Sequence, residues 1–339
     1  MCSGGRYLSG RLASGPSIRL SSKTKILVAI VGPTATGKST LGIEIAERFG
    51  GEVISCDSTA VYRGFDIGTD KVPLEGRRGI PHHLIDVVDP SENYSAARYA
   101  TDASAAVFET IARGRLPILV GGTGLYYRAL TRGLFPGPGR DSDLRERLLA
   151  LSDRYGVERL HRLVRHVDPE SADRIHARDA KRLIRALEVY YLTGRPLTRH
   201  FEGTHSPLVG YSIVGIALRQ SSDLTAVKVA QRVESQLNEG LIDEVRRLRA
   251  MGIPDSALPF GGMVYRQVLA FLNGVGTEES TRDDIIRANR RYARRQLIWF
   301  RKEPNLHWIQ VDDGPVHAFR MAEQIVRDNV VARSESVVL

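Results

Sequence analysis

Cysteine is nearly missing from this chain: its 339 residues include two, Cys2 and Cys56. Two cannot staple a fold of this length, so a disulfide scaffold is excluded and a reducing compartment fits. No apolar run approaches the ~20 residues needed to span a bilayer, which excludes a transmembrane helix and a membrane partner. His82 and His83 lack Cys or further His at ligand spacing, which favours a structural or substrate-contact role over a metal centre. There are no internal repeats. Acids are in deficit, with 39 Asp plus Glu against 48 Lys plus Arg and a net charge of +9. A solubilising surface explains that balance, and so does a polyanionic partner. Residues 1–24 are rich in Ser, Gly and Arg and have no acid. Transit peptides share that composition, but the stretch is short and faintly patterned, so a flexible tail is expected.

What is present reads as a globular enzyme. Hydrophobic residues make up 42% and charged residues 26%, ordinary for one large or two modest domains. Lys25 to Val31 (KILVAIV) is a short continuous apolar run, as a buried parallel strand requires. A helical pattern follows over Lys38 to Phe49 and ends at Gly50-Gly51. Further strands are expected over Glu52 to Cys56, His83 to Val88, Leu116 to Val120 and Gly210 to Leu218. A helix over Ser95 to Arg113 separates the third from the fourth. Gly133 to Gly139 (GLFPGPG) interrupts the alternation, and Asp141 to Leu192 is helical in period and strongly charged. Long helices are expected over Asp223 to Met251 and Arg282 to Lys302. Strands alternating with helices predict an α/β fold, a P-loop NTPase-like parallel sheet core with a helical insertion domain. The boundaries expected are a tail over 1–24, core over 25–137, insertion over 138–205, core with C-terminal helices over 206–330, and a tail over 331–339.

Gly32-Pro33-Thr34-Ala35-Thr36-Gly37-Lys38-Ser39 fits G-x-x-x-x-G-K-[ST] at every fixed position, between a strand and a helix. The glycines let the backbone turn its N–H groups inward, and with the helix N-terminus these cradle phosphate oxygens. Lys38 supplies a mobile charge, and the Ser39 hydroxyl is placed to ligate Mg²⁺. A nucleotide triphosphatase also needs an acid on a neighbouring strand, yet the Leu116 to Val120 strand runs into Gly121-Gly122-Thr123-Gly124. The acid that follows a strand is Asp57. It could hold a metal or act as a base aimed at an acceptor, and the residues alone leave both open.

Together these segments resemble the tRNA dimethylallyltransferase (tRNA isopentenyltransferase) family. Beyond the phosphate loop, the matching pieces are Ile54 to Ser58 running on to Val61-Tyr62, Asp66 to Lys71, Pro81 to Asp86, and Leu119 to Tyr126. Arg182 to Val189, Tyr265 to Gln267 and Arg294 to Gln296 continue the match, which covers roughly residues 25 to 310. The resemblance implies dimethylallyl diphosphate with its diphosphate in the loop and Mg²⁺ as cofactor. The prenyl group would pass to the exocyclic amine of the adenosine just 3′ of a tRNA anticodon. Asp57 matches the family's general base, and Thr123 a residue at the reacting centre. By the same resemblance Asp57, Ser58, Thr59, Ala60, Thr123, Arg145, Lys181, Arg182, Leu183, Ile184, Arg185 and the stretch Gly261 to Arg266, with Tyr265 and Arg266, contact the tRNA anticodon stem-loop. The chain departs from the pattern at Val264, where the family often has glycine and where valine resists φ > 0. It also lacks the C-terminal Cys/His pattern of the eukaryotic zinc finger.

Independently, Arg287, Arg290, Arg291, Arg294 and Arg295 follow helical spacing as a basic stripe flanked by Tyr292 and Trp299. One such stripe can be a solvated face. A second basic run at Arg174, Arg178, Lys181, Arg182 and Arg185 favours RNA phosphates. The expectation is a monomeric, cytoplasmic enzyme. A nucleotide or small-molecule kinase, or a prenyltransferase of free AMP or ADP, would share the phosphate loop.

Overall fold

The computed structural model describes residues 25–335, so the N-terminal tail lies outside the described residues. These residues form two compact units: one runs up to Tyr127 and resumes at Gly210, and the other is Arg128–Val209.

In chain order the first unit begins with β1 (Ile26–Val31), α1 (Lys38–Phe49), β2 (Gly51–Cys56), β3 (His82–His83), α2 (Ala96–Ala112) and β4 (Leu116–Gly121), and α3 (Gly124–Thr131) crosses into the second unit at Arg128. The second unit contributes α4 (Ser142–Tyr155), α5 (Val157–Val167), α6 (Pro169–Arg174), α7 (Ala180–Thr193) and α8 (Leu197–His200). The first unit resumes with β5 (Ser212–Arg219), α9 (Ser222–Asn238), α10 (Leu241–Ala250), α11 (Tyr265–Leu272), α12 (Glu278–Phe300), β6 (Leu306–Gln310) and α13 (Pro315–Glu335).

The strands form one parallel sheet in the order β3-β2-β4-β1-β5-β6. Every residue of β1 is buried, as expected of a central strand covered on both faces. Successive side chains point to opposite faces. Ile26, Val28 and Ile30 join Leu41, Ile45 and Phe49 of α1 and Ala322 and Val326 of α13 in one core. The P-loop-like α/β core thus agrees with the pattern of the sequence, and it sets β1, β2 and β4 side by side with their carboxyl ends aligned.

Three elements differ from expectation. The strand expected over His83–Val88 is not formed. Leu84 (φ 61°) and Asp86 (φ 59°) turn into the left-handed region, leaving two paired residues and an isolated bridge from Val88 to Tyr62. The helix expected over Asp223–Met251 is broken at Gly240 (φ 93°) into α9 and α10. The strand β6, with α13 after it, was not marked by the sequence pattern, because LHWIQ is short and half-exposed.

The helical unit has its own core, built on Leu148, Leu160, Val164, Leu183, Ile184 and Leu187. Inside it lies Glu188, whose side chain is fully buried. Arg145 grips it at 2.7 and 2.8 Å, Arg185 at 2.6 Å, and the Asp141 N–H donates at 2.9 Å. Burial works against the charge, but these donors outweigh it and hold Glu188 down at about 2.

The ion cluster makes a stability prediction. Both guanidiniums keep some solvent contact (26% and 29% exposed), so Glu188→Ala should cost about 2–3 kcal/mol, less than a fully buried pair broken on one side. Because the folded pKa is depressed, this stabilisation is complete above the ordinary carboxylate range and is lost as pH falls toward 2. Urea unfolding of wild type and Glu188→Gln should differ by a constant amount above about pH 5, and the gap should shrink in acid.

Candidate active site

The carboxyl ends of β1, β2 and β4 open into a cavity of about 280 Å³, all of it within the first unit. At the end of β1 the loop Gly32–Gly37 turns into α1. Gly32 has φ 138°, and a Cβ there would lie 2.5 Å from the Leu218 carbonyl, so only glycine fits. Ala35 also has positive φ (65°), a rare state for a residue with a side chain. Gly37 leads into α1 with no side-chain cap, so the first amides of the helix are open to an anion. Lys38 bonds the Pro33 carbonyl at 2.5 Å, while the Thr36 hydroxyl bonds the same carbonyl at 2.9 Å. Desolvation, with Arg232 adding repulsion, lowers Lys38 to about 7, against the pull of Asp57 and Asp70. A bound phosphate would favour the charged form again.

Asp57 stands at the end of β2, half-buried. Its Oδ1 accepts the amides of Thr59 (2.8 Å) and Ala60 (3.2 Å) in a tight local turn. Thr123, after β4, is fixed by its own N–H on the Cys56 carbonyl (3.1 Å), and its Oγ1 accepts the Ser58 amide at 3.1 Å. Burial pushes the Cys56 thiol up to about 12, so it is inert.

The cavity thus brings together Thr34, Ala35, Gly37, Lys38, Ser39, Asp57, Ser58, Thr59 and Ala60, with Thr123 bonded to its Ser58 wall. Met263, Val264 and Tyr265 also line it. Val264 lies in the right-handed helical region (φ −79°, ψ −57°), so the turn needs no glycine. The Tyr265 side chain is 1% exposed and packs edge-on against Phe65, while Arg266 is exposed on α11. In the helical unit Lys181 and Arg182 are exposed. Leu183 and Ile184, read by resemblance as RNA contacts, are core residues there, and Arg145 and Arg185 point their guanidiniums at Glu188. His82 lines the cavity, whereas His83 bonds the buried Glu52 at 2.7 Å. Among the described residues no cluster of three His, Cys, Asp or Glu side chains can hold a metal by itself.

Four participants carry no role assigned from the sequence: Arg232 and Glu244 lie in no motif, Gln296 ends a matching piece, and Tyr292 only flanks the basic stripe. Arg232 of α9 bonds the Thr34 hydroxyl at 2.8 Å and pairs with Asp70 at 2.9 Å. Gln296 of α12 accepts the Thr34 amide and donates to the Gly122 carbonyl, both at 2.8 Å. Tyr292, one turn away on the same face, also lines the cavity. Glu244 of α10 is fully buried. It accepts the amides of Asp66 (3.0 Å), Ile67 (2.8 Å) and Gly68 (3.3 Å) and the Tyr265 hydroxyl (2.8 Å). That carboxylate fixes the loop that carries Asp70 to Arg232. The opposite side of α12 presents Arg287, Arg290, Arg291 and Arg294 to a groove with Pro33, Gln220, Ser222 and Thr225. Arg295 instead stacks over the Tyr292 ring at 5.7 Å.

A parallel α/β sheet with a glycine-bounded loop after its first strand, and a carboxylate and a threonine at the ends of its neighbours, defines a P-loop-like α/β fold with a cavity shaped to receive an anion. Comparison narrows the class. Residues 60–303 match the family model described as IPP transferase. The chain is 46% identical over 287 residues to the tRNA dimethylallyltransferase of Solibacter usitatus, covering 84% of this chain and 92% of that one. It is 45% identical over 293 residues to that of Halalkalibacterium halodurans, covering 85% and 91%. The full-length tRNA isopentenylpyrophosphate transferase of Bacillus halodurans superposes with a TM-score of 0.70 at 39% identity, covering 93% of this chain and all of that one. A eukaryotic dimethylallyltransferase acting on tRNA gives 0.69 at 26% identity, over 86% and 75%. The chain belongs to the IPP transferase family.

Truncating Glu244 strands three part-buried amides and a buried phenol at once. At about 1 kcal/mol or more each, Glu244→Ala should lose roughly 3–5 kcal/mol of stability. Glu244→Gln, which keeps an acceptor, should lose clearly less. Urea denaturation of both variants measures the difference.

Proposed function

We propose that this chain moves the dimethylallyl group of dimethylallyl diphosphate to the N6 amine of the adenosine 3′-adjacent to the anticodon, in tRNAs reading codons that begin with U, and releases diphosphate. The observation that carries the reading is that one cavity holds both an anion cradle, with Lys38 and Arg232, and an acid, Asp57, that is not spent on an ion pair.

The chemistry needs both. As the bond from the allylic carbon to the diphosphate oxygen breaks, negative charge grows on the leaving group and positive charge on the carbon. The open amides of α1, Lys38 and Arg232 face the first charge. The adenine amine is a poor nucleophile, because its lone pair is delocalised into the ring. It gains by giving its proton to Asp57 as the carbon–nitrogen bond forms. One oxygen of Asp57 is held by the Thr59 and Ala60 amides, which orients the other for that proton. The Thr123 hydroxyl stands beside Ser58 to bond a phosphate oxygen or the nucleoside. Mg²⁺ would be held by Ser39 with diphosphate oxygens and water, a donor set that suits this hard cation, and would neutralise leaving-group charge.

The adenosine must be unstacked from the anticodon loop to reach this cavity. Exposed Arg266 and the arginines of the α12 groove are suited to hold phosphates of the RNA, and Lys181 and Arg182 offer further exposed cations on the helical unit. No described helix is long and apolar enough to cross a membrane. A monomer at work in the cytoplasm, where tRNA is found, completes the reading. A kinase reading fits less well, because the chain belongs to the IPP transferase family and its relatives are tRNA dimethylallyltransferases.

The test is to supply labelled dimethylallyl diphosphate and Mg²⁺ with unmodified tRNA, AMP or ATP. Label should pass to tRNA alone; transfer to AMP, or cleavage of ATP without prenyl transfer, would reject the reading. Asp57→Ala should slow turnover about 10²–10⁴-fold with tRNA affinity nearly unchanged. Affinity for tRNA should fall steeply and linearly in log salt, and single charge removals at Arg290 or Arg294 should flatten the slope.

A further inference from the structure

Asp70 lines the cavity beside the anion loop and has no part in the chemistry above. Its backbone sits in the left-handed region, at φ 61°. That region is unfavourable for a residue with a side chain, although aspartate and asparagine tolerate it better than most. Such a conformation persists only where the surroundings fix it. Here they do. The Asp70 N–H donates to the Ile67 carbonyl at 3.0 Å, and the Gln236 side-chain amide, 4% exposed, donates to the same carbonyl at 2.9 Å. Buried Glu244 accepts the amides of Asp66, Ile67 and Gly68. Lys71, the next residue, bonds the Tyr62 carbonyl at 2.6 Å.

This scaffolding places one charge. Asp70 Oδ2 meets Arg232 Nη2 at 2.9 Å, while Arg232 Nη1 donates to the Thr34 hydroxyl of the anion loop at 2.8 Å. The Thr34 amide is fixed in turn by Gln296 at 2.8 Å. The guanidinium is thus held by both arms of its fork, and these two bonds use two of its five N–H groups. An arginine left to itself samples many rotamers and loses that freedom when an anion orders it. Asp70 orders it in advance, and it also pulls Lys38 toward the charged form, against burial. As an anion, Asp70 opposes a second anion as well. The two effects differ in range. The carboxylate touches the guanidinium directly, whereas a ligand on the guanidinium lies beyond it, and solvent reaches the half-exposed Asp70 side chain to screen the repulsion.

We propose that Asp70 is a positioning residue for the leaving group: it holds the Arg232 guanidinium against the anion loop, so that the diphosphate meets a cation already in place. The identity of that anion rests on the prenyl-transfer reading, but the role of Asp70 is read in a binding measurement that needs no turnover.

Asp70→Asn tests it, because asparagine keeps the shape and the tolerance for positive φ and removes only the charge. Calorimetry with inorganic diphosphate and Mg²⁺ compares wild type, Asp70→Asn, Arg232→Met and the double variant. Where Arg232 is present, Asp70→Asn should weaken diphosphate binding roughly three- to tenfold, the worth of one hydrogen bond, and raise the KM for dimethylallyl diphosphate by a similar factor. In the Arg232→Met background the same change should bring no weakening, since only the repulsion is then removed. The urea midpoint and the stem-loop affinity of Asp70→Asn should stay close to wild type. Unchanged or tighter diphosphate binding in Asp70→Asn, or an equal loss with and without Arg232, overturns the assignment. So does a loss that a higher Mg²⁺ concentration restores, which would make Asp70 a metal-binding group instead. The expected binding pattern in a protein that transfers no prenyl group would sustain the role of Asp70 and overturn the prenyl-transfer reading alone.

Discussion

The side-chain amide of Gln296 joins two loops that the rest of the site depends on. One end accepts the Thr34 amide in the anion loop, and the other donates to the Gly122 carbonyl in the turn before Thr123. The anion loop and the turn that carries Thr123 thereby hang on one buried group of one helix. The same helix turns its arginines outward to a separate groove. A buried amide suits this task, because it offers a donor and an acceptor at fixed separation and carries no charge to desolvate.

The ionised groups divide by burial. Glu52, Glu188 and Glu244 are nearly sealed from solvent, and each accepts several hydrogen bonds. They are structural: the first holds His83 and Arg113, the second ties α4 to α7, and the third pins the loop of Asp66 to Gly68. Asp57 is half-buried and bonded only through local amides. A carboxylate with a free oxygen lining a cavity is the kind of group the proposed proton transfer requires. Counting charges does not separate these roles; in the sequence only the place of Asp57 after a strand sets it apart.

Much of the site was readable in advance because it is local. The anion loop is one contiguous segment, and its glycines, lysine and serine act through neighbouring backbone. Asp57 was marked by its place after a buried strand. The errors have local causes too: Leu84 and Asp86 adopt left-handed backbone inside an apolar run, and Gly240 breaks a continuous helical period. The fate of Tyr265, Leu183 and Ile184 was not legible, since an apolar or aromatic residue in a matching motif can serve the core as readily as the ligand.

The sequence by itself determined the parallel α/β core, the phosphate loop and the acid beside it, since strand runs, turn residues and helix periods are written within a dozen neighbours. Only the tertiary structure decided which side chains complete the site. Gln296 reaches Thr34 across 262 positions and Arg232 across 198. Such contacts are set by the packing of helices on the sheet, and no spacing rule along the chain encodes them.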